Sequence, residues 1–169
     1  MRKLALFAVV ALTGAIGLSA CSGGHDKDQQ QAQTQQQAAV QKPTDPNDTA
    51  AWNKYLGSLL QNNMQGMTAD RPYAYMIPAG DSDADKAARQ RQLDSISDVV
   101  ARGVTPGNLI AFAGADSTKT ADAIVQSFKG ARKGTFKGVI VLFIGDQADK
   151  QRVADVINPT GAKFRFVQM

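Results

Sequence analysis

The chain of 169 residues has little of the chemistry on which most enzymes depend. It contains one cysteine, Cys21, one histidine, His25, and no glutamate, so all 15 acidic residues are aspartates. A single cysteine excludes a disulfide framework within the chain and a cysteine-rich zinc site. Because His25 lies in a polar stretch near the N-terminus, the globular part has no histidine for a Ser–His–Asp or Cys–His arrangement. The sequence therefore favours a protein that is not an enzyme and has no cofactor.

The first residues have the layout of an export signal. Arg2 and Lys3 form a short positive region, and residues 4–17 follow without a charge. An apolar stretch of about 14 residues is roughly 21 Å long as a helix. Since the hydrocarbon core of a bilayer is about 30 Å thick, this stretch predicts the apolar region of a signal peptide and not a membrane span.

The run Leu18-Ser19-Ala20-Cys21 resembles the lipobox of bacterial lipoproteins. The resemblance implies that residues 1–20 are a cleaved signal peptide, and that Cys21 is acylated on its thiol and on its new amino group, with membrane lipid as a partner. In the sorting pattern of these lipoproteins, an Asp after the cysteine retains the protein in the inner membrane. Ser22 occupies that position, so the resemblance implies an outer-membrane anchor with the protein facing the periplasm. The alternative is an ordinary thiol beside a plain secretory cleavage site.

Residues 22–50 are polar and rich in Gln, with Val40 as the one aliphatic residue larger than Ala. Such a segment cannot bury enough apolar surface to offset the entropy lost on ordering. We therefore expect residues 21–50 to be the lipidated cysteine followed by a disordered tether, with a root-mean-square span of about 30 Å. A transient helix or coiled-coil arm is the alternative, although no apolar heptad supports it.

Residues 51–169 have the alternating pattern of an α/β domain. Five apolar residues at helical spacing indicate the first helix: Trp52, Tyr55, Leu56, Leu59 and Leu60. Further patterns predict a proline-bounded edge strand (72–78), a helix (81–102), a buried strand (109–113), a helix (119–129), a central strand (138–144), a helix (148–157) and a final strand, more exposed on one face (163–167). This order predicts right-handed βαβ units and a small open, mostly parallel sheet, covered on both faces.

Two predicted turns follow strands and would meet at the carboxyl edge of the sheet, where open α/β folds bind ligands. The candidate ligand residues in them are Gly114, Asp116, Ser117, Lys119, Gly145 and Asp146. A glycine, hydroxyls and a lysine at a helix N-terminus suit an anion, although the Gly-Lys-Ser/Thr ending of a P-loop is missing. In the alternative interpretation, Asp116 or Ser117 caps the helix and Gly114 eases the turn.

A second candidate surface is a loop with four cations and no acid among nine residues. These possible basic contacts are Lys129, Arg132, Lys133 and Lys137. A cationic loop suits lipid headgroups, lipopolysaccharide phosphates or an acidic protein patch, whereas nucleic acid is not expected in the cell envelope. In the alternative interpretation, these cations lie at a helix C-terminus and keep the loop solvated.

The segment Asp81-Ser-Asp-Ala-Asp85 is similar to the opening of an EF-hand calcium loop. That loop requires a glycine at its sixth position and a bidentate acid at its twelfth, where this chain has Lys86 and Gln92. We therefore expect no metal here, and interpret the acids as complements to the dipole of a helix first turn.

Together these features predict a non-catalytic binding or scaffold module, anchored in the outer membrane and contacting an envelope protein. One alternative is a subunit or immunity-type inhibitor of an envelope assembly. Another is a periplasmic hydrolase that uses Asp116 and Asp146 as an acid–base pair.

Overall fold

The structure is a computed structural model that describes residues 40–169. The predicted signal peptide, Cys21 and the Gln-rich part of the predicted tether lie outside the described residues. The elements are α1 (Thr49–Gln61), β1 (Tyr73–Met76), α2 (Asp83–Arg102), β2 (Leu109–Ala113), α3 (Ser117–Phe128), β3 (Ile140–Gly145), α4 (Gln147–Ile157), a 3-10 turn (Asn158–Thr160) and β4 (Lys163–Gln168). The predicted α/β class is confirmed. Over residues 40–169, no helix has both the length and the hydropathy required to cross a bilayer.

The four strands form one sheet in the order β1-β2-β3-β4, and every neighbouring pair is parallel. Each βαβ unit therefore connects two adjacent strands. β2 and β3 are interior and fully buried. β1, which lies between Pro72 and Pro78, is an edge strand as predicted, because a proline cannot donate to the ladder of an interior strand.

Both faces of the sheet are covered, since side chains alternate along each strand. On β3, Val141 and Phe143 pack in the core formed with α2, α3 and α4. Ile140, Leu142 and Ile144 pack in the second core, which is formed with α1. The apolar run of β3 thus supplies two cores at once, and this explains why it has no polar residue.

Helix and strand ends differ from the predicted ones where side chains or backbone angles decide them. Ser82 Oγ accepts a hydrogen bond from the Asp85 N–H at 3.1 Å, so α2 begins at Asp83 and not at residue 81. Asp116 caps α3, so that this helix begins at Ser117, two residues before its predicted start. β3 begins at Ile140, after Gly138, whose φ of 78° lies outside the β region.

The described chain contacts the domain before α1 begins. The indole N–H of Trp52 donates to the carbonyl oxygen of Asp45 at 3.0 Å, and Val40 packs against the core under α1. Asp48 caps α1, because its side chain accepts from the Ala51 N–H at 2.9 Å. Residues 40–48 were predicted from their composition to belong to the tether, but they contact the domain. Composition alone does not indicate such contacts.

The final strand is not exposed on one face, contrary to the prediction. Phe164 and Phe166 pack against the core of α2, α3 and α4, whereas Val167 packs on the opposite side. On that side the Arg165 guanidinium donates to the carbonyl oxygen of Asn63 and, at 2.7 Å, to that of Gln65. The segment after α1 thus covers the face that alternation had assigned to solvent.

Candidate functional site

The carboxyl edge of the sheet opens into a cleft of about 530 Å³. It is lined by the loop before α1 and by the turns that follow β1, β2 and β3. The two turns predicted as a ligand edge therefore meet there, because parallel strands bring their carboxyl ends to the same edge. We call this cavity the carboxyl-edge cleft.

The structure brings four of the six predicted ligand residues into this cleft: Asp116, Ser117, Lys119 and Asp146. Gly114 lines an adjoining cavity of about 500 Å³, where a Cβ would lie 2.7 Å from the carbonyl oxygen of Ile77. Gly145 is buried, and a Cβ there would lie 2.8 Å from Ser117 Oγ and against the Phe143 ring. Both glycines thus allow close packing around the cleft.

Lys119 is neutralised within the fold. Its ammonium lies 2.8 Å from Asp81 Oδ1 and 3.5 Å from Asp116 Oδ2, and it also donates to the Ala79 carbonyl. The hydrogen bond with Asp81 raises the pKa of Lys119 and lowers the pKa of Asp81. Arg89 supports the same loop by donating to the Pro78 carbonyl at 3.0 Å. Lys119 thus holds the loop after β1 against α3, and Arg89 holds it against α2.

The N-terminus of α3 is occupied by the side chain of Asp116. Asp116 Oδ1 accepts the Lys119 N–H at 2.9 Å, and the Asp116 carbonyl accepts the Thr120 hydroxyl at 2.8 Å. The structure thus shows the capping arrangement that was the alternative to an anion site. An anion at this helix end would compete with a carboxylate already in place.

Ser117 takes part in a buried network between α3 and α4. Its hydroxyl donates to Asp149 Oδ2 at 2.5 Å and accepts the Asp146 N–H at 2.7 Å. Asp149 is 7% exposed, and Arg152 Nε donates to its other oxygen at 2.9 Å. Arg152 also pairs with Asp122 and donates to the Thr118 carbonyl. The Ser117 proton is therefore held by a carboxylate whose charge an arginine balances.

The residue patterns of the sequence do not single out Asp149 and Arg152. Their spacing of three on one helix is a local signal for an ion pair, but nothing local connects them with Ser117, 32 positions earlier. Asp146 differs from the other cleft acids, because its contact with Gln168 Nε2 is long, at 3.5 Å, and its side chain makes no cap. Within residues 40–169, no three His, Cys, Asp or Glu side chains are grouped to hold a metal ion.

The predicted basic contacts lie at the opposite, amino edge of the sheet, in the loop between α3 and β3. Lys129, Arg132, Lys133 and Lys137 are all exposed, and none of them belongs to an ion pair within the part of the chain that the structure describes. The loop is fixed by Phe136, whose side chain is fully buried and whose N–H donates to the Thr160 carbonyl at 2.9 Å. The cations are therefore presented on an ordered support.

An α/β architecture does not by itself identify a function, because the same fold class supports many unrelated activities. The features of this domain that can bear a function lie at the two ends of the sheet. One end is a cleft whose polar groups are engaged with each other, and the other is a basic loop without ion pairs among residues 40–169. The chain matches no protein-family model, no curated protein sequence and no solved structure.

Proposed function

We propose that this protein is a non-catalytic binding or scaffold module of the bacterial cell envelope, anchored in the outer membrane through acylated Cys21 and facing the periplasm. The resemblance of residues 18–21 to a lipobox supports the anchor. The absence of catalysis is supported chiefly by one observation, the engagement of Ser117 with Asp149 and Arg152.

A catalytic group must be free to attack a substrate or to exchange a proton with it. In the carboxyl-edge cleft, the Ser117 hydroxyl donates to Asp149 and accepts from the backbone. The Lys119 ammonium is shared by two carboxylates, and Asp116 caps a helix. These groups hold three loops in place, so the cleft is built as a rigid surface for a partner.

A periplasmic hydrolase is the second candidate, because Asp116 and Asp146 line the same cleft. An acid–base pair needs two carboxyl groups with different proton affinities, both able to reach the substrate. Asp116 is tied to the α3 backbone and to Lys119, whereas Asp146 is not tied in this way. This difference makes Asp146 the residue on which a test of catalysis should be based.

The anchor is tested by fractionating cells that carry Cys21→Ser, with Ser22→Ala as the matched control. We expect the wild-type and Ser22→Ala proteins to enter the detergent phase, because both keep the thiol that is acylated. Cys21→Ser should remain unprocessed or, if processed, enter the aqueous phase. Processed Cys21→Ser protein in the detergent phase would contradict the anchor.

The binding role is tested by recovering the full-length lipidated protein from detergent-solubilised envelopes. Asp116→Asn with Asp146→Asn removes both charges while keeping a good helix cap, because Asn caps about as well as Asp. A binding module should recover a stoichiometric protein partner with the wild-type chain and less of it with the double variant, because both residues line the cleft. A hydrolase should instead recover no stoichiometric partner and should lose its hydrolytic activity in the double variant at unchanged thermal stability, and that result would overturn the proposal. A partner recovered in fixed ratio would identify the assembly of which the protein is a subunit or inhibitor.

A further inference from the structure

Six exposed cations come from three elements that meet at the amino edge of the sheet. They are Arg102, Lys129, Arg132, Lys133, Lys137 and Lys163, and we call this surface the basic face. We infer that the basic face docks on the anionic phospholipid surface of the membrane, so that the carboxyl-edge cleft is turned away from the lipid. This inference deepens the proposed function and rests on it only for the presence of the membrane.

Backbone contacts bring the three elements of the basic face together. The Gly134 N–H donates to the Pro159 carbonyl at 3.2 Å, and the Lys163 N–H donates to the Val139 carbonyl at 2.8 Å. A Cβ on Gly103, next to Arg102, would lie 3.4 Å from the Thr135 side chain. The end of α2, the loop after α3 and the start of β4 therefore form one continuous surface.

Charge is segregated between the two ends of the domain. The ion pairs of the described residues all lie in the first two turns of α2, α3 and α4 or in the loops just before them. At the carboxyl edge Lys86, Arg89 and Lys119 are all engaged in these ion pairs, while Asp85 and Asp146, which belong to none of them, are half-buried. The acids closest to the basic face along the chain are Asp98, Asp122 and Asp155, of which Asp122 is paired with Arg152, so the six cations of the face outnumber the acids near them.

This distribution sets a preferred orientation near an anionic surface. The basic face is attracted, and the acidic carboxyl edge is repelled within a Debye length of about 8 Å at physiological salt. Each Lys or Arg near an anionic leaflet contributes about 1 kcal/mol, or roughly fivefold in affinity. Several cations acting together can therefore hold the domain in one orientation on a membrane.

The composition of the basic face favours lipid over an acidic protein. Protein interfaces are depleted in Lys and depend on aromatic or apolar anchor residues. Four of the six cations are Lys, and among the described residues the exposed large hydrophobic side chain is Tyr73 alone, at the amino end of the edge strand β1, so the amino edge has no cluster of such anchors. A lipid headgroup layer requires charge alone, and this face supplies it.

The length of chain before the domain allows this orientation. The residues between Cys21 and Val40 number 18, which corresponds to at most about 60 Å when fully extended. The chain enters near the carboxyl-edge cleft, which Pro46 and Asn47 help to line. This length is about twice that of α2, whose 20 residues are about 30 Å long, so the chain length is compatible with this orientation.

The experiment measures vesicle binding of the mature chain, residues 21–169 with Cys21→Ser, so that acylation cannot contribute. The vesicles contain phosphatidylcholine with or without about 30% phosphatidylglycerol, in about 0.1 M NaCl, where the Debye length is about 10 Å. The test variant combines Arg132→Gln, Lys133→Gln and Lys137→Gln. The control combines Lys42→Gln, Lys54→Gln and Arg91→Gln, which removes the same charge from exposed positions elsewhere.

We expect binding to the phosphatidylglycerol vesicles alone, weakened about 100-fold in the test variant and less than about fivefold in the control. Binding should also be lost in 1 M NaCl, where the Debye length is about 3 Å. A polarity-sensitive dye should respond to the vesicles at Lys133→Cys but not at Thr118→Cys, since Cys21→Ser leaves no other thiol. Equal melting of both triple variants would show that each is folded.

Absence of binding, equal binding to the neutral vesicles, or equal loss in both triple variants would overturn the inference. If vesicles are not bound and the test variant instead loses a protein partner from solubilised envelopes, the basic face is a protein contact and the inference is wrong. Because the vesicle experiment uses a chain without acyl groups, its failure leaves the anchor intact. Conversely, failure of the Cys21→Ser fractionation leaves the basic face intact.

Discussion

Ser117 and Ser127 form a matched pair of buried serines on α3, and we predict that their replacement by alanine has opposite effects. Ser117 Oγ makes two hydrogen bonds, at 2.5 Å to the Asp149 carboxylate and at 2.7 Å from the Asp146 N–H. Ser127 is 7% exposed, and its hydroxyl has no hydrogen-bond partner within residues 40–169. The two changes therefore remove the same atom from an engaged and from an unengaged position.

The magnitudes follow from the groups that each change leaves behind. Ser117→Ala leaves a buried carboxylate oxygen and a backbone N–H unpaired, each at about 1–3 kcal/mol. We expect a loss of about 2–4 kcal/mol in the free energy of unfolding, because some relaxation or water entry will offset part of the sum. Ser127→Ala leaves nothing unpaired and gains about 0.5 kcal/mol of helix propensity, so it should be neutral or stabilising.

The assay is urea unfolding of residues 21–169 with Cys21→Ser, followed by the fluorescence of the single tryptophan, Trp52, which is 6% exposed. A double-mutant cycle of Ser117→Ala with Asp149→Asn should give a coupling energy of about 1 kcal/mol or more. A loss below about 1 kcal/mol for Ser117→Ala, or equal effects of the two alanine changes, would refute the structural role of Ser117. The engagement of Ser117 would then no longer support a non-catalytic function.

Three further predictions follow from the packing and charges. Phe143→Ala should cost about 3–5 kcal/mol in urea unfolding, because its ring is fully buried between the sheet and the helices. Gly145→Ala should cost about 1–3 kcal/mol in the free energy of unfolding, since its Cβ would meet Ser117 Oγ at 2.8 Å. Gly57→Ala, in an open helical position, should instead stabilise the fold by about 0.5–1 kcal/mol. Similar shifts in melting temperature for the two variants would contradict this contrast. NMR titration should find the pKa of Asp81 below its ordinary value and raised again by Lys119→Gln. The contribution of Asp81 to stability should therefore be present above its ordinary pKa and should be lost as the pH falls through its lowered, folded-state pKa. An Asp81 pKa that does not change in Lys119→Gln would show that the ion pair is absent.

Much of the fold could be predicted because its signals are local. The apolar run of β3 and the helical spacing of Trp52, Tyr55 and Leu56 indicate burial within a few residues of chain. Pro72 and Pro78 marked an edge strand, as the sheet order confirms. The ends of elements were less accurate, because a single side-chain cap moves a helix start by two residues.

The candidate site could be predicted only in part. Parallel strands bring the turns after β2 and β3 to one edge, so the meeting of Asp116 and Asp146 in one cleft followed from topology. The partners of Ser117 and Lys119 did not follow, since Asp149 and Asp81 are 32 and 38 positions away. Whether residues so far apart in the chain come into contact depends on how neighbouring helices pack. Local residue patterns do not indicate that packing.

The amino-acid sequence by itself determined the order and type of the elements and the two faces of β3, because burial periodicity and capping act over a few residues. The tertiary structure alone decided which charges are neutralised. With the strand order β1-β2-β3-β4, α3 lies between α2 and α4, so that Lys119 reaches Asp81 on one side and Ser117 reaches Asp149 on the other. The same packing leaves Arg132, in the loop after α3, outside the ion pairs of the described residues. Ion pairing depends on separations of a few ångströms through space, and only the folded chain sets those separations.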